Sequence, residues 1–152
     1  MNKYTGKSVF GGIAIGKIMV YEKGEHQVKR VKITDAEAEK NRYYEAVETA
    51  FKQLGELHDK ALREVGEANA AIFEIHQMML EDLDYIESII NIITAQQVNA
   101  EYAVGTTADN FAAMFSAMDD AYMQGRAADV KDVSERILNI LSGAEKVTFA
   151  TD

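Results

Sequence analysis

The residues best suited to chemistry in this chain are its histidines and the carboxylates around them. His76 lies four residues after Ile72 and four before Leu80, so a helix would place it on the same face as these apolar side chains. A histidine in such a position is either a packed, hydrogen-bonded core residue or part of a partner surface, and the apolar neighbours favour the core. Glu74 and His76 are two residues apart and would not face each other on a helix, so we predict no metal site here.

The segment around His76, residues 66–89, combines an apolar surface with two groups of acids. Its apolar face recurs at helical spacing, as Ile72, His76, Met79, Leu80 and Leu83. Carboxylates frame this face, as Glu67, Glu74, Glu81, Asp82 and Asp84. An apolar, methionine-bearing patch with an acidic rim is typical of a docking surface for a basic partner. The alternative is that Met78, Met79 and Leu83 fill a helical core and bind nothing.

Composition limits the classes of protein to which this chain can belong. It has 152 residues, of which 47% are apolar and 27% charged, as expected for one soluble globular domain. No apolar run approaches the ~18 residues of a membrane span, and the N-terminus lacks the apolar core of a signal peptide. Cysteine is absent, which excludes disulfides and thiol chemistry, so we expect a cytoplasmic protein without membrane insertion. A net charge of −9 disfavours nucleic acid as a partner and suits a basic protein.

The elements that must position these residues are long helices after a short glycine-rich start. Proline, the strongest helix breaker, is absent from the whole chain. Short strands are expected at residues 8–21 and 28–33, which are rich in β-branched residues. A first helix is expected from a cap at Thr34 to about Val65, with Gly66 ending it. Its packed side is predicted to carry Tyr44, Val47, Phe51, Leu54, Leu57, His58, Ala61 and Leu62.

Further helical segments complete the predicted fold. The helix through His76 is expected to bend or break between residues 81 and 84 before it continues. Helices are then expected at residues 100–118 and 126–141, the latter with Asp129 and Asp132 near its positive N-terminal end. Four long helices with short connections predict a mainly α protein, an antiparallel four-helix bundle. We predict N-terminal strands within residues 1–33, the helical domain at 34–143 and the start of a returning strand at 144–152.

Three sequence blocks match the pattern of a known family. The first is AIFxxHxMxLED, present as Ala71, Ile72, Phe73, His76, Met78, Leu80, Glu81 and Asp82. A second block is RAADVKDVSERIL at residues 126–138, just after Tyr122, and a third is GGIAIGK at residues 11–17. These blocks resemble the phosphoenolpyruvate–protein phosphotransferases, the enzyme I family of the bacterial sugar phosphotransferase system, in which the first pattern is characteristic. The resemblance implies the family's helical HPr-binding domain, with terminal strands that belong to a truncated α/β phosphohistidine domain.

The resemblance also implies a chemistry for the intact enzyme. Enzyme I transfers phosphate from phosphoenolpyruvate via a phosphohistidine to HPr, the small histidine phosphocarrier, and uses Mg²⁺ and a dimerising C-terminal domain. The family's active histidine lies in a GGxxSHxAIxAR motif, which this chain lacks. We therefore expect no catalytic residue, metal ligand or cofactor in this chain, and an intact protein that is a homodimer.

HPr binding is the function that the resemblance implies for the chain itself. By motif position, the residues expected to bind HPr are Glu67, Ile72, Met78, Met79, Asp84, Tyr85, Phe115, Tyr122 and Arg126. The chain departs from the family at Ala68, Asn69 and Leu83, where members often carry charge. Its contacts with HPr are therefore expected to be less electrostatic than those of other members.

Two alternatives to this interpretation remain open at the level of sequence. One is the equivalent domain of a nitrogen-related or multiphosphoryl-protein paralogue, and the other is a structural bundle without a phosphocarrier partner. We predict that Met79→Arg, which places a charge in the apolar centre of the docking surface, weakens HPr binding and leaves the bundle folded. If Met79 lies in the core, the same substitution should unfold it.

Overall fold

The computed structural model describes residues 28–143 as five helices. They are α1 (Ala36–Glu64), α2 (Glu67–Leu80), α3 (Leu83–Gln96), α4 (Ala100–Ser116) and α5 (Ala121–Ser142). The predicted break between residues 81 and 84 is confirmed, because Glu81 and Asp82 separate α2 from α3. The strand predicted at residues 28–33 is only an isolated antiparallel bridge between Lys32 and Val98. The strands predicted at residues 8–21 and within 144–152 lie outside the described residues.

The helices pack as an antiparallel bundle, which confirms the predicted fold class. Two-helix hairpins, α1 with α2 and α4 with α5, make the most extensive contacts, and α2 and α3 together form one interrupted arm of the four. Every helix contributes buried side chains to one hydrophobic core, among them Leu54, Leu80, Ile89, Val104 and Ile137. Burial of these aliphatic groups is the main force that holds the arms together.

Aspartate side chains determine where three of the helices begin. Asp35, Asp82 and Asp120 each accept a hydrogen bond of 2.9–3.1 Å from a backbone N–H in the first turn of α1, α3 and α5. Such a bond satisfies one of the N–H groups that a helix leaves without a partner at its start. The cap of α1 is thus Asp35, one residue after the predicted Thr34.

The start of α5 also differs from the prediction. Because Asp120 caps the helix, α5 begins at Ala121 and not at Arg126. Asp129 and Asp132 therefore lie beyond the first two turns of α5. The prediction that they complement the positive N-terminal end of this helix is wrong, because the helix dipole acts mainly within the first turn.

The buried side of α1 is only partly the one predicted. Its buried residues are Tyr43, Ala46, Ala50 and Leu54, whereas the predicted Tyr44, Phe51 and Leu62 are exposed. The alanines, four residues apart, form a narrow strip that lets neighbouring helices approach closely. A prediction that looks for large apolar side chains does not identify such a strip, because its residues are alanines.

Arg42 joins three helices at the end of the bundle where α1 begins. Its guanidinium donates hydrogen bonds to Glu39 at 2.8 Å, to both carboxylate oxygens of Glu101 and to the carbonyl oxygen of Leu141 at 3.1 Å. The Glu39 carboxylate also accepts from the N–H of Ala100 at 2.6 Å. The starts of α1 and α4 and the end of α5 therefore meet at one end of the bundle.

Candidate docking site

Helix connectivity brings four of the nine predicted site residues to the end of the bundle opposite Arg42. The α1–α2 and α4–α5 connections both lie at this end, since the arms are antiparallel. Glu67 is the first residue of α2, Phe115 is in the last turn of α4, and Tyr122 and Arg126 are in the first two turns of α5. Residues that are distant in the chain thereby become neighbours in space.

Two adjacent methionines of α2 have different surroundings. Met78 is 64% exposed, whereas Met79 is only 3% exposed and packs in the core. Further exposed side chains on α2 and at the start of α3 are Glu67, Ile72, Leu83 and Asp84. We refer to Met78 and these four residues as the acidic apolar surface. It presents apolar side chains with carboxylates before and after them in the chain.

Met79 and Tyr85 do not reach the surface, contrary to the prediction that they bind a partner. Tyr85 is 1% exposed, and its hydroxyl lies 2.6 Å from the Ser134 hydroxyl in a buried hydrogen bond. Both Met79 and Tyr85 belong to the hydrophobic core, where a docked protein would not touch them. Arginine at position 79 would place a charge in that core, so the expectation that Met79→Arg leaves the bundle folded is also corrected.

Arg126 lies against an aromatic ring at the ends of α4 and α5. Its Cζ atom is 5.9 Å from the centroid of the Phe115 ring, within the range of a cation–π interaction. The Nε atom of Arg126 is buried and has no hydrogen-bond partner among the described residues. Tyr122, one helical turn before Arg126, is exposed. The structure thus brings these three predicted residues together.

His76 is a packed, hydrogen-bonded residue, as its apolar neighbours indicated. It is buried, and its Nε2 atom lies 3.4 Å from a carboxylate oxygen of Asp129. This contact joins α2 to α5. His58 similarly joins α1 to α2, because its Nε2 atom lies 3.1 Å from a carboxylate oxygen of Glu74. Both histidines therefore have structural contacts between helices.

Several chemistries find no support among residues 28–143. No group of three histidine, cysteine or carboxylate residues in this range is arranged to hold a metal ion. Burial raises the pKa of Tyr43 and of Tyr85 well above the ordinary value of 10.0, so both hydroxyls stay protonated. The Tyr85 hydroxyl hydrogen-bonds with Ser134, whereas the buried Tyr43 hydroxyl has no hydrogen-bond partner among the described residues. None of the helices in this range is both long and apolar enough to cross a membrane.

Two residues near the site were not among those expected by motif position to bind HPr. Leu83 is 76% exposed at the first position of α3, and its exposure depends on where that helix starts. Phe111 contacts Phe115 edge to face, with the ring centroids 6.1 Å apart. Because the two phenylalanines are four residues apart on α4, helical periodicity is a signal that could have identified Phe111.

Comparison with known proteins identifies the family. The family described as PEP-utilising enzyme, N-terminal, matches residues 5–126. The chain belongs to this family. It is 36% identical over 145 residues to the phosphoenolpyruvate-protein phosphotransferase of Bacillus subtilis (strain 168), an alignment that covers 95% of the chain. The corresponding protein of Geobacillus stearothermophilus is 40% identical over 138 residues, or 91% of the chain. The chain spans only 25% and 24% of these two relatives, about a quarter of their length.

Solved structures of family members have the same helical fold. The NMR solution structure of an Enzyme I matches with a TM-score of 0.73 and 32% identity, over 80% of this chain and 49% of that one. The N-terminal domain of an enzyme described as Enzyme 1 - Nitrogen matches with a TM-score of 0.71 and 27% identity, over 78% of this chain and 49% of the other. The resemblance to the N-terminal part of enzyme I is therefore confirmed.

Proposed function

We propose that this chain is the HPr-docking domain of a phosphoenolpyruvate–protein phosphotransferase. The observation that supports this most is the exposure of Met78 and Leu83, 64% and 76%, between exposed carboxylates in a member of this family. Exposed large apolar side chains framed by charged residues are a common feature of protein interfaces. A purely structural bundle would have no need to leave them in water.

The apolar and the acidic residues of such a surface contribute to binding in different ways. Covering an exposed Met78 or Leu83 side chain contributes at most about 1.5–3 kcal/mol each, because apolar area leaves water. Glu67 and Asp84 attract a basic partner and orient it, which affects the association rate more than the final affinity. HPr, whose surface around its active histidine is basic in the family that this chain resembles, is the partner that fits.

The wider reaction is part of the same proposal. The intact cytoplasmic enzyme would take phosphate from phosphoenolpyruvate onto a histidine and pass it to HPr, as a homodimer that uses Mg²⁺. The side chains of residues 28–143 offer no set of three ligands for a metal ion, so we derive no step through magnesium here. In this reaction the described residues bind the acceptor protein and orient it.

The docking proposal is tested by placing a positive charge within the acidic apolar surface. We expect Met78→Arg to weaken HPr binding by at least about tenfold in calorimetry with HPr from the same organism, with the melting temperature unchanged. Val31→Arg is the matched control, because Val31 is a half-exposed apolar residue beside Asn99, at the end of the bundle where Arg42 lies. Equal affinity of both variants for HPr, or no HPr binding by the folded wild-type chain, would refute the proposal.

A further inference from the structure

An unbroken series of ring contacts leads from the core of the bundle to Arg126. The Tyr85 and Phe111 rings meet edge to face, with centroids 5.9 Å apart and planes at 82°. Phe111 meets Phe115 in the same way, at 6.1 Å and 85°. The Cζ atom of Arg126 in turn lies 5.9 Å from the centroid of the Phe115 ring. We refer to Tyr85, Phe111 and Phe115 as the aromatic stack.

The inner end of the aromatic stack is fixed. The Tyr85 side chain is fully buried, and the Ser134 hydroxyl lies within hydrogen-bond distance of its own at 2.6 Å. Each ring restricts the next one, because an edge-to-face contact specifies an orientation as well as a distance. Phe111 is the link between the buried Tyr85 and the half-buried Phe115, so the position of Phe115 depends on it.

The outer end of the aromatic stack leaves Arg126 open to a partner. The nearest acid on its own helix face is Asp129, three residues later, and the carboxylate of Asp129 is occupied by His76 at 3.4 Å. Within residues 28–143, Arg126 has the ring contact with Phe115 and no hydrogen bond. The chain has a net charge of −9, so carboxylates outnumber the basic groups that could pair with them. An arginine that pairs with none of them within this range breaks this pattern, as functional residues often do.

We propose that Phe111 is a positioning residue for partner binding, which acts by holding Phe115 so that the Arg126 guanidinium faces an acceptor oxygen of the docked protein. The acceptor is a carboxylate or a main-chain carbonyl, since guanidinium groups donate and never accept. Holding the long arginine side chain in advance reduces the conformational entropy lost on docking. This inference rests on the proposed function and adds to it a residue that does not itself touch the partner.

A double-mutant cycle measures whether Phe111 acts through Arg126. Calorimetry with HPr compares the wild-type chain with Phe111→Leu, Arg126→Gln and the double variant. We expect Phe111→Leu to weaken binding by about threefold when Arg126 is present and to have a clearly smaller effect in the Arg126→Gln background, where only Phe115 itself is displaced. Tyr102→Leu is the control, because the Tyr102 ring also lies under an arginine, Arg30, but at the other end of α4, and this substitution should leave the affinity unchanged.

The free chain provides a second measurement that does not depend on any partner. The buried Nε–H of Arg126 should give an NMR signal that exchanges slowly with water and is displaced by the ring current of Phe115. In Phe111→Leu we expect this displacement to be lost and the exchange to become faster. Phe111→Tyr keeps the ring and should retain the wild-type signal, while a variant that merely loosens the fold would alter signals throughout the chain.

The outcomes separate this inference from the function on which it rests. Independent, additive effects of Phe111→Leu and Arg126→Gln, or an unchanged Arg126 signal in Phe111→Leu, would overturn the inference and leave HPr docking standing. If the wild-type chain did not bind HPr, the proposed function would fail, whereas the NMR measurement would still show whether Phe111 positions Arg126.

Discussion

At the scale of single residues, Met78 and Met79 show that neighbours in the sequence can lie one on the surface and one in the core. Adjacent residues on a helix point about 100° apart, so one methionine faces water and the next packs against the bundle. Sequence reasoning gave both the same role because both belong to one apolar segment. The direction of each side chain depends on how α2 is rotated against α1 and α5, which is a property of the packed bundle.

The two methionines should respond differently to truncation. We expect Met79→Ala to lower the free energy of unfolding by about 2–4 kcal/mol, because it leaves a cavity in a packed core. Met78→Ala, at an exposed position, should change it by no more than ~0.5 kcal/mol. Urea unfolding followed by circular dichroism measures both. Similar losses in the two variants would contradict the packing of α2 described above.

Glu101 should make the bundle less stable in acid. Burial alone would raise its pKa, but hydrogen bonds and charge from Arg42 outweigh burial and hold the pKa of Glu101 below its ordinary value of 4.5. A carboxyl with a lowered pKa in the folded state contributes stability above its unfolded-state pKa, and this is lost as the pH falls through the folded-state pKa.

The contribution of Glu101 is measured with Glu101→Gln. We expect this substitution to lower the free energy of unfolding by roughly 1–2 kcal/mol at neutral pH, a value reduced for partial exposure of the pair. The difference from wild type should shrink progressively as the pH is lowered below about 4.5. Chemical unfolding over a pH series tests this, and a difference that stays constant down to strongly acidic pH would show that the carboxylate charge is not responsible.

At the scale of elements, the number of arms, the α2–α3 break and most connections could be predicted from the sequence, because they depend on local signals. The absence of proline, the position of Gly66 and the polar connections between helices are such signals. The buried side of α1 and the start of α5 could not be predicted as well. Ala46 and Ala50 are buried because other helices pack on them, and Asp120 was one of several possible starting points.

Of Gly55, Gly66, Gly105 and Gly125, we expect Gly66 to tolerate substitution least. Its φ of 101° and ψ of 173° lie in a region that is open essentially to glycine alone, and this conformation turns the chain from α1 into α2. We expect Gly66→Ala to lower the free energy of unfolding by about 1–3 kcal/mol, although no neighbouring atom lies within 4 Å of the added carbon.

Gly125 is the matched control for Gly66. It lies inside α5, has open space around it and no positive φ. Gly125→Ala should therefore raise the free energy of unfolding by roughly 0.5–1 kcal/mol, since alanine is the better helix former. Thermal unfolding of both variants distinguishes the two cases, and a stabilising effect of Gly66→Ala would show that the α1–α2 connection is not constrained as described.

At the scale of the whole molecule, the two ends of the bundle carry different groups of side chains. At one end, Arg42 and its carboxylate partners join the helices by hydrogen bonds. The other end carries Glu67, Phe115, Tyr122 and Arg126. The motif that revealed the family is largely structural: Leu80 and His76 are buried, and Asp82 caps α3. Of that motif, only Ile72 and Met78 therefore contribute to the proposed site.

The net charge of the chain predicts how docking should depend on salt. A charge of −9 attracts a basic protein over distances that salt screens, so the association rate with HPr should fall by about tenfold between low and high ionic strength. The dissociation rate should change much less, because buried apolar contacts are insensitive to screening. Stopped-flow measurements over a salt series give both rates. A salt effect confined to dissociation would contradict the role assigned to the acidic rim.

The most direct test of the central claim is an NMR titration of the isotope-labelled chain with unlabelled HPr from the same organism, at low and at high salt. We expect chemical-shift changes at the acidic apolar surface and around Phe115, Tyr122 and Arg126, with weaker binding at high salt. Signals near Arg42 and Glu101, at the other end of the bundle, should stay in place. Shifts centred on that other end, or no shifts from a folded chain, would contradict the claim that this domain docks HPr through the surface described.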